Sequence, residues 1–506
     1  MDLGVITTFD LLAAVFILLA TYLFVKWYRD PIRKIPGPPG LPILGNVLSL
    51  NPSFLHIQLF EMARKYGAVM KLKIFTYPIV VINSKDACLE ALIKAGTDYL
   101  GRPPMKRMST IAGKDIGFHT FDEDHVMLKR IFTKAIKAYG PGIAHLENVM
   151  QETIQDMVDS IDQKGDQAID TNELVVGYVC CVLASMLFGE KFAYDDEVCK
   201  KMHQMNTRQI EAGDPMSSAA ILDAFPFLFN FKFLFADTHR KVEGAVKLVN
   251  EFSKSCLDQA KASYDANNKR GCLDYFIEIQ KEEMDKDGKP QLDDEGIKGL
   301  LLDFIRAGLE TSRRSLAQIF LDLLHDPGLQ KRLQDELDTQ LNPTHIICLK
   351  DKEKLPQMEA YLLEQFRYLS QAPVLLPHMT LRDTELIGYK IPANTVVLIN
   401  AFHTAHNPDI YEDPFVLKPD RFLDKEGKCV DRDHPLRQNF LGFGSGRRAC
   451  PGELLARSRI FLFLANILQK YNVELIGKLP ERDVRKYPMS ILLSPPSMHV
   501  KFVRRQ

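Results

Sequence analysis

The chain has no Cys-x-x-Cys pair, a single tryptophan in 506 residues, and no excess of either charge. Nine dispersed cysteines, two of them the adjacent Cys180 and Cys181, are too few for a disulfide scaffold. Their spacing fits no structural zinc site, and this usage argues for a reducing compartment. With 64 Lys+Arg against 65 Asp+Glu, the basic surplus that nucleic-acid binders concentrate on one face is missing. No internal repeat or low-complexity tract breaks the chain. Its glycines follow no dinucleotide-binding spacing, because Ala449 stands where the third glycine would fall, and no Gly-x-Ser-x-Gly elbow surrounds Ser445. The chain therefore carries no nucleotide or flavin motif of its own. A hydrophobic share of 46% with 25% charged residues excludes wholesale disorder. The length exceeds one ordinary core and implies one large enzyme-sized fold.

At the N-terminus, Gly4–Val25 holds one charge, Asp10, and Leu11–Val25 holds none. As a helix this stretch spans about 33 Å, against a hydrocarbon core of about 30 Å. Lys26, Arg29, Arg33 and Lys34 follow at once, whereas only Asp2 precedes it. The positive-inside bias places everything after residue 27 in the cytoplasm. A cleaved signal peptide would need a basic flank before the apolar run and a small-residue cleavage site, and neither is evident. The stretch Ile35-Pro-Gly-Pro-Pro-Gly-Leu-Pro42 cannot be helical, since each proline lacks an N–H. The expected organisation is an anchor over 1–27, a stiff basic and Pro-rich linker over 28–46, and one catalytic unit over 47–506.

Within that unit, 69–75 and 79–83 read as two strands joined through Thr76–Pro78, and a smaller strand group is expected at 374–399. Segments near 142–163, 172–188, 243–265, 294–325, 328–341 and 355–369 carry apolar residues at three- and four-residue spacings. The fold class is mainly α with small β-sheets, without a parallel α/β core. Phe225, Phe227, Phe229, Phe231, Phe233 and Phe235 alternate, which fits either a buried strand or a greasy surface segment near a membrane or a ligand entrance.

The most informative stretch is Phe440-Leu-Gly-Phe-Gly-Ser-Gly-Arg-Arg-Ala-Cys-Pro-Gly-Glu-Leu-Leu455. Glycines at 442, 444 and 446 let the backbone turn tightly and approach a flat partner. Pro451 and Glu453 suit a helix start, so Cys450 is expected at a helix N-terminus, where the dipole favours thiolate over thiol. A thiolate held in this way is suited to bind a metal.

The pattern Phe443-Gly-x-Gly-x-Arg448-x-Cys450-x-Gly452 resembles the haem-binding loop of the cytochrome P450 family at every fixed position. Three further elements agree in order and spacing. Glu364-Gln-Phe-Arg367 is similar to the family's Glu-x-x-Arg pair, and Pro419-Asp-Arg421-Phe422 resembles the segment whose arginine completes that buried ion network. Ala307-Gly308-Leu-Glu310-Thr311 resembles the oxygen-binding notch of the central helix. The resemblance covers essentially the whole chain, is of the microsomal, membrane-anchored type, and is closest to the animal steroid and xenobiotic hydroxylases.

The resemblance implies a helix-rich triangular prism with haem b (iron-protoporphyrin IX) between the central helix and the cysteine loop. Cys450 would be the proximal ligand beside Phe443. Arg448 and His378 would hold the propionates, and Gly308 would leave room for a diatomic ligand. Glu310 and Thr311 would organise a water chain for proton delivery. It further implies NADPH-cytochrome P450 reductase as electron donor, a small lipophilic substrate, a single-pass endoplasmic reticulum location and a monomer.

One departure is plain. The family's early-helix Trp-x-x-x-Arg pair, which contacts a propionate, is replaced by His125 and Lys129. These can still donate to a carboxylate, but not as a planar fork, and weaker haem retention is expected. Lys129, Arg130, Lys134 and Lys137 would offer a basic face to the reductase. The pocket is expected to draw on 102–122, the Phe-rich 219–236, the notch, Ala372–Leu376 and Pro488–Leu493. Arg306, Arg313 and Arg314 flank the notch with unknown rotation. Rival functions are an NADPH-independent haem-thiolate isomerase or dehydratase of hydroperoxides, against which Glu310–Thr311 argues, and a non-enzymatic membrane haem carrier.

Overall fold

The helix Asp294–His325 is apolar around most of its circumference, and a helix of that kind must be surrounded. Residues on every side of it are buried, among them Leu300, Leu302, Ile305, Leu309 and Phe320. The Asp293 side chain caps its start by accepting from the Gly296 N–H at 2.7 Å. It stops before Pro327, whose ring opens the next helix, Pro327–Gln340. Around this central helix lie Thr171–Phe188, Pro356–Leu369 and Glu453–Lys470. The computed structural model describes residues 8–28, 30–41, 44–75, 77–138, 143–194, 196–284, 288 and 291–505.

The sheets are small. Strands β1 (Val69–Ile74), β2 (Tyr77–Ile82), β4 (His378–Met379) and β7 (Val396–Ile399) form one sheet in the order β1-β2-β7-β4. β1 and β2 are an antiparallel hairpin, β2 and β7 run parallel, and β4 is antiparallel to β7. The parallel pair joins segments some three hundred residues apart, a pairing that periodicity does not announce. Strands β3 (Ile169–Asp170), β8 (Tyr471–Ile476) and β9 (His499–Arg504) form a second sheet, and β5 (Thr384–Leu386) and β6 (Tyr389–Ile391) a third. The expected helices lie within a few residues of their places, except that the one expected from 243 starts at Ala236. Thr76, in the expected turn, lies outside the described residues.

One sequence boundary needs correction, and one reading left open is decided. The Pro-rich stretch is not a free linker: Ile32 and Ile35 are buried with Val69, Val80 and Ile82. The Lys71 N–H donates to the Pro36 carbonyl at 2.8 Å. A Cβ on Gly37 would sit 2.3 Å from the Lys71 carbonyl oxygen, so glycine is required by close approach rather than by flexibility. The globular unit thus begins near residue 32 rather than at 47. The Phe-rich run is not a strand either. It forms a short 3-10 turn, Pro226–Asn230, between helices, with Phe227, Phe231, Phe233 and Leu234 exposed. The period of two arose from a surface segment, the second of the two readings.

Helix Thr8–Tyr28 exposes Phe16, Ile17, Leu18 and Phe24. By contrast Thr171–Phe188, long and apolar enough to cross a membrane, is mostly buried inside the fold.

The Glu364–Arg367 pair is fully buried, both side chains at 0% exposure. Glu364 Oε2 accepts from Arg367 Nε at 2.7 Å, and Oε1 accepts from Arg367 Nη2, the Lys418 N–H and Arg421 Nε. This network ties helix Pro356–Leu369 to the segment around Pro419–Phe422 that leads to the cysteine loop.

Candidate active site

A cavity of about 310 Å³ lies against the central helix. Asp303, Arg306, Ala307, Glu310, Thr311 and Arg314 face it. Their spacing of three, one, three, one and three residues is one face of an α-helix, which fixes the rotation that the sequence left open. The same cavity is bounded by the cysteine loop, by Val374, Leu375 and Leu376, and by Ser490, Ile491 and Leu492. Of the expected walls, 219–236 is absent; Ile210 and Gly213 of helix Glu197–Gly213 stand there instead.

The cysteine loop closes on itself: the Cys450 N–H donates to the Phe443 carbonyl at 2.8 Å. Gly446 has φ +68°, and a Cβ there would meet the Leu92 carbonyl oxygen at 2.1 Å, so no other residue fits. Phe443 stands edge-on to Phe366 and lies under the Arg457 guanidinium at 4.8 Å. Cys450 has open surface, and it is the cavity that this surface faces. The following helix begins at Glu453, so the thiol is near the helix N-terminus without being in its first turn. Burial pushes the thiol up, against the Gly452 N–H and Lys129, which pull it down. The helix end alone does not make the thiolate; a coordinated cation would.

Basic groups crowd the cavity. Arg102, His125, Lys129, His378 and Arg448 all face it. Burial, and then repulsion from Arg448, push the Arg102 guanidinium down to about 9. Burial holds Arg448 at about 10, while burial and the neighbouring cations hold His125 and His378 at about 3. Burial and Arg448 also lower Lys129. The carboxylates that face the same cavity, Asp303 and Glu310, are each paired to arginines. Both ring nitrogens of His125 are buried and have no hydrogen-bond partner among the described residues. His378 donates Nδ1–H to the Tyr99 carbonyl at 2.8 Å. The Arg102 and Arg448 guanidiniums are braced by the carbonyls of Gly117, Leu376, Pro377, Leu100, Ile116 and His119. Asp115 and Asp122 act on these guanidiniums from nearby, but among the described residues Arg102, Lys129 and Arg448 form no ion pair, and fixed cations of this kind are complementary to a buried polyanion such as a pair of carboxylates.

In the notch, the Thr311 hydroxyl donates to the Ala307 carbonyl at 2.6 Å. Burial alone would raise the Glu310 carboxyl, yet Arg313 and Arg314 hold it below its ordinary value. Glu310 accepts from Arg313 at 2.8 Å and from Arg314 at 3.2 Å, and Asn206 lies 3.4 Å away.

Gly308 is the exception among the expected residues. It does not face the cavity, and a Cβ there would press on Leu183 at 2.8 Å. Its missing side chain makes room for helix Thr171–Phe188, while Ala307 is the small residue at the cavity. The expected basic docking face is also altered. Lys129 turns inward and donates to the Arg447 carbonyl, while Arg130 and Lys134 share Glu283. The Lys137 side chain lies outside the described residues. Arg102 was missed as a site residue; the available signal was an arginine between Gly101 and Pro103, where no helix can carry it out to solvent.

A thiol beside a basic ring at a helix notch defines a haem-binding protein of the thiolate class. The cytochrome P450 family model matches residues 35–502. Cytochrome P450 1A1 of Platichthys flesus is 30% identical over 490 residues, covering 92% of this chain and 91% of that protein. Cytochrome P450 1A3 of Oncorhynchus mykiss is 30% identical over 489 residues, with the same two shares. Cytochrome P450 1A1 of Sparus aurata is 29% identical over 486 residues, again with the same shares. The chain belongs to the cytochrome P450 family and is a monooxygenase whose family cofactor is a haem held by a cysteine thiolate.

Proposed function

We propose that the chain is a membrane-anchored haem-thiolate monooxygenase that inserts one oxygen atom of O2 into a lipophilic steroid or aromatic xenobiotic and reduces the other atom to water. The two electrons come from NADPH through a separate flavoprotein, the NADPH-cytochrome P450 reductase, because the chain has no nucleotide motif. The observation that carries the reading is one cavity containing Cys450, five basic groups and the Ala307–Thr311 notch.

Cys450 would hold the iron of haem b, and Arg102, Lys129, Arg448, His125 and His378, which line the same cavity, would hold its propionates. Carboxylates held there would make the protonated form of His125 or His378 less costly, since an opposite charge favours the charged imidazole. When bound, the haem supplies the activation of O2 that no side chain can perform. Thr311 holds its hydroxyl at the cavity, one hydrogen bond from the Ala307 carbonyl, and can accept and pass a proton there. Glu310, kept ionised by two arginines, orders water beside it rather than serving as a freely protonated acid. Phe443, whose carbonyl accepts from the Cys450 N–H, lines the cavity beside the thiol and limits water there.

Helix Thr8–Tyr28, with its exposed apolar side chains, is the single-pass anchor in the endoplasmic reticulum membrane, the catalytic unit being cytoplasmic. The exposed phenylalanines of 227–233 give the same membrane a second apolar contact. The enzyme works as a monomer.

The test is the carbon monoxide difference spectrum of the dithionite-reduced full-length protein. A strongly red-shifted Soret band that Cys450→Ala abolishes supports the reading. A Soret band at the position of a His- or thiol-ligated haem, or no haem at all, refutes it.

A further inference from the structure

The face of the central helix that looks into the cavity is more polar than an apolar substrate requires. Asp303 and Arg306 lie there one turn before the notch, with Asp115 behind them. Arg306 Nη2 donates to Asp115 Oδ2 at 3.0 Å and to Asp303 Oδ1 at 2.8 Å. Its guanidinium lies over the Phe118 ring at 4.7 Å. Both carboxylates are otherwise occupied. Asp115 Oδ1 accepts from the Phe118 and His119 N–H groups at 2.7 and 2.8 Å, and Asp303 Oδ2 accepts from the Ile116 N–H at 2.5 Å. The arginine is not: its Nη1 is buried and has no hydrogen-bond partner among the described residues, and the side chain is 10% exposed. A buried N–H donor left unmade costs about 1–3 kcal/mol, and a ligand oxygen that reached this guanidinium from the cavity that Arg306 lines would relieve it. Val374, Leu375, Leu376 and Ile491 wall the same cavity with apolar surface.

We infer that Arg306 is a specificity-determining residue that receives a neutral oxygen acceptor, a ketone or ether-type oxygen, at one end of an otherwise lipophilic substrate. The inference rests on this cavity being the substrate site, as proposed above. The acceptor is neutral because the arginine already faces two carboxylates. Burial and Asp115 already push the Asp303 carboxyl up to about 7, so a substrate carboxylate would add further negative charge beside Arg306, in a place where burial keeps charges unscreened. A hydrocarbon would leave Nη1 unpaired. A substrate anchored here extends along the Ala307–Thr311 face, so this contact would set which carbon lies nearest the notch.

The experiment uses the full-length holoenzyme in lipid nanodiscs and reads binding by equilibrium dialysis, which needs no turnover. The probes are 2-ethylfluorene, 2-acetylfluorene and fluorene-2-carboxylate, which differ at one end only. In the wild type the ketone is expected to bind about ten-fold more tightly than the hydrocarbon, as one charge-assisted hydrogen bond gives. The carboxylate is expected to bind no better than the ketone. R306M, which has no N–H donor, and R306K are then compared. In R306M the ketone preference falls to within about two-fold, while 2-ethylfluorene binding changes little; R306K keeps part of it.

A ketone-to-hydrocarbon ratio within two-fold in the wild type overturns the inference without any variant, so misfolding of R306M cannot shelter it. An undiminished ratio in folded R306M overturns it as well, and tighter binding of the carboxylate overturns the neutral-acceptor assignment. The carbon monoxide spectrum of each preparation separates this failure from failure of the haem-thiolate reading: a normal spectrum with no ketone preference refutes only the role of Arg306.

Discussion

Replacing Glu364 with leucine would take one carboxylate out of a site where it serves four donors. Arg367 Nε and Nη2, the Lys418 N–H and Arg421 Nε all point at it. Arg367 is fully buried and would keep only the Ala405 and Pro414 carbonyls on Nη1. Arg421 would keep the Glu412 and Val416 carbonyls at a more accessible position. The uncompensated charge is therefore mainly that of Arg367, and breaking a buried pair on one side costs about 3–5 kcal/mol. At about 2 cal/mol/K per residue, a unit of this length has an unfolding entropy of roughly 1 kcal/mol/K. The expected fall in Tm is then about 3–5 °C. The double variant E364L/R367M removes the stranded charge together with its partner and should recover at least half of that loss. Thermal melts of the holoenzyme followed by far-UV circular dichroism and by the Soret band measure both. A double variant whose loss equals or exceeds the sum of the E364L and R367M losses would refute the view that the cost lies in the unpaired charge.

Burial beside Phe402 pushes the His56 imidazole down to about 4 from an ordinary 6.5. The folded state keeps it neutral while the unfolded state takes up a proton below pH 6.5. Stability is therefore lost as pH falls from 6.5 toward 4, by about 2 kcal/mol at pH 5. H56F should flatten the Tm between pH 7 and 5 by about 2 °C relative to wild type, and an unchanged pH profile would contradict this. G308A should destabilise by about 1–3 kcal/mol through its contact with Leu183 and be partly rescued by L183A in urea unfolding. If G308A instead weakens carbon monoxide binding with no change in stability, the packing assignment fails. R102M removes one permanent cation from the basic ring and should speed haem transfer to apomyoglobin by about ten-fold, as loss of one charge-assisted hydrogen bond implies; equal transfer rates would exclude Arg102 from haem retention.

Residues that act through local covalent geometry or chain order were readable in advance. The helices appeared because apolar residues recur at helical spacing, and the central helix ends where Pro327 forces the next one to begin. The cysteine loop was legible because close approach and left-handed φ demand glycine at fixed positions, as at Gly446. Burial of Glu364 with Arg367 was inferred from the resemblance, since an i, i+3 pair looks the same on a solvated face.

What tertiary structure alone decided concerns rotation and distant partners. Sequence left open which of Arg306, Arg313 and Arg314 faces the cavity, because helix phase is set by what packs against the other side; Arg306 and Arg314 line it. It could not pair β2 with β7 across some three hundred residues. It misjudged Gly308, whose open space is taken by a leucine from another helix, and the Pro-rich segment, whose stiffness lets it dock on a sheet rather than span free solvent. It also took Lys129 and its neighbours for a free basic face, when a carbonyl from the cysteine loop and Glu283 claim them. Local chemistry fixes which groups are available; only packing brings Cys450, five basic groups and the notch around one cavity, because desolvation and charge repulsion depend on neighbours remote in the chain.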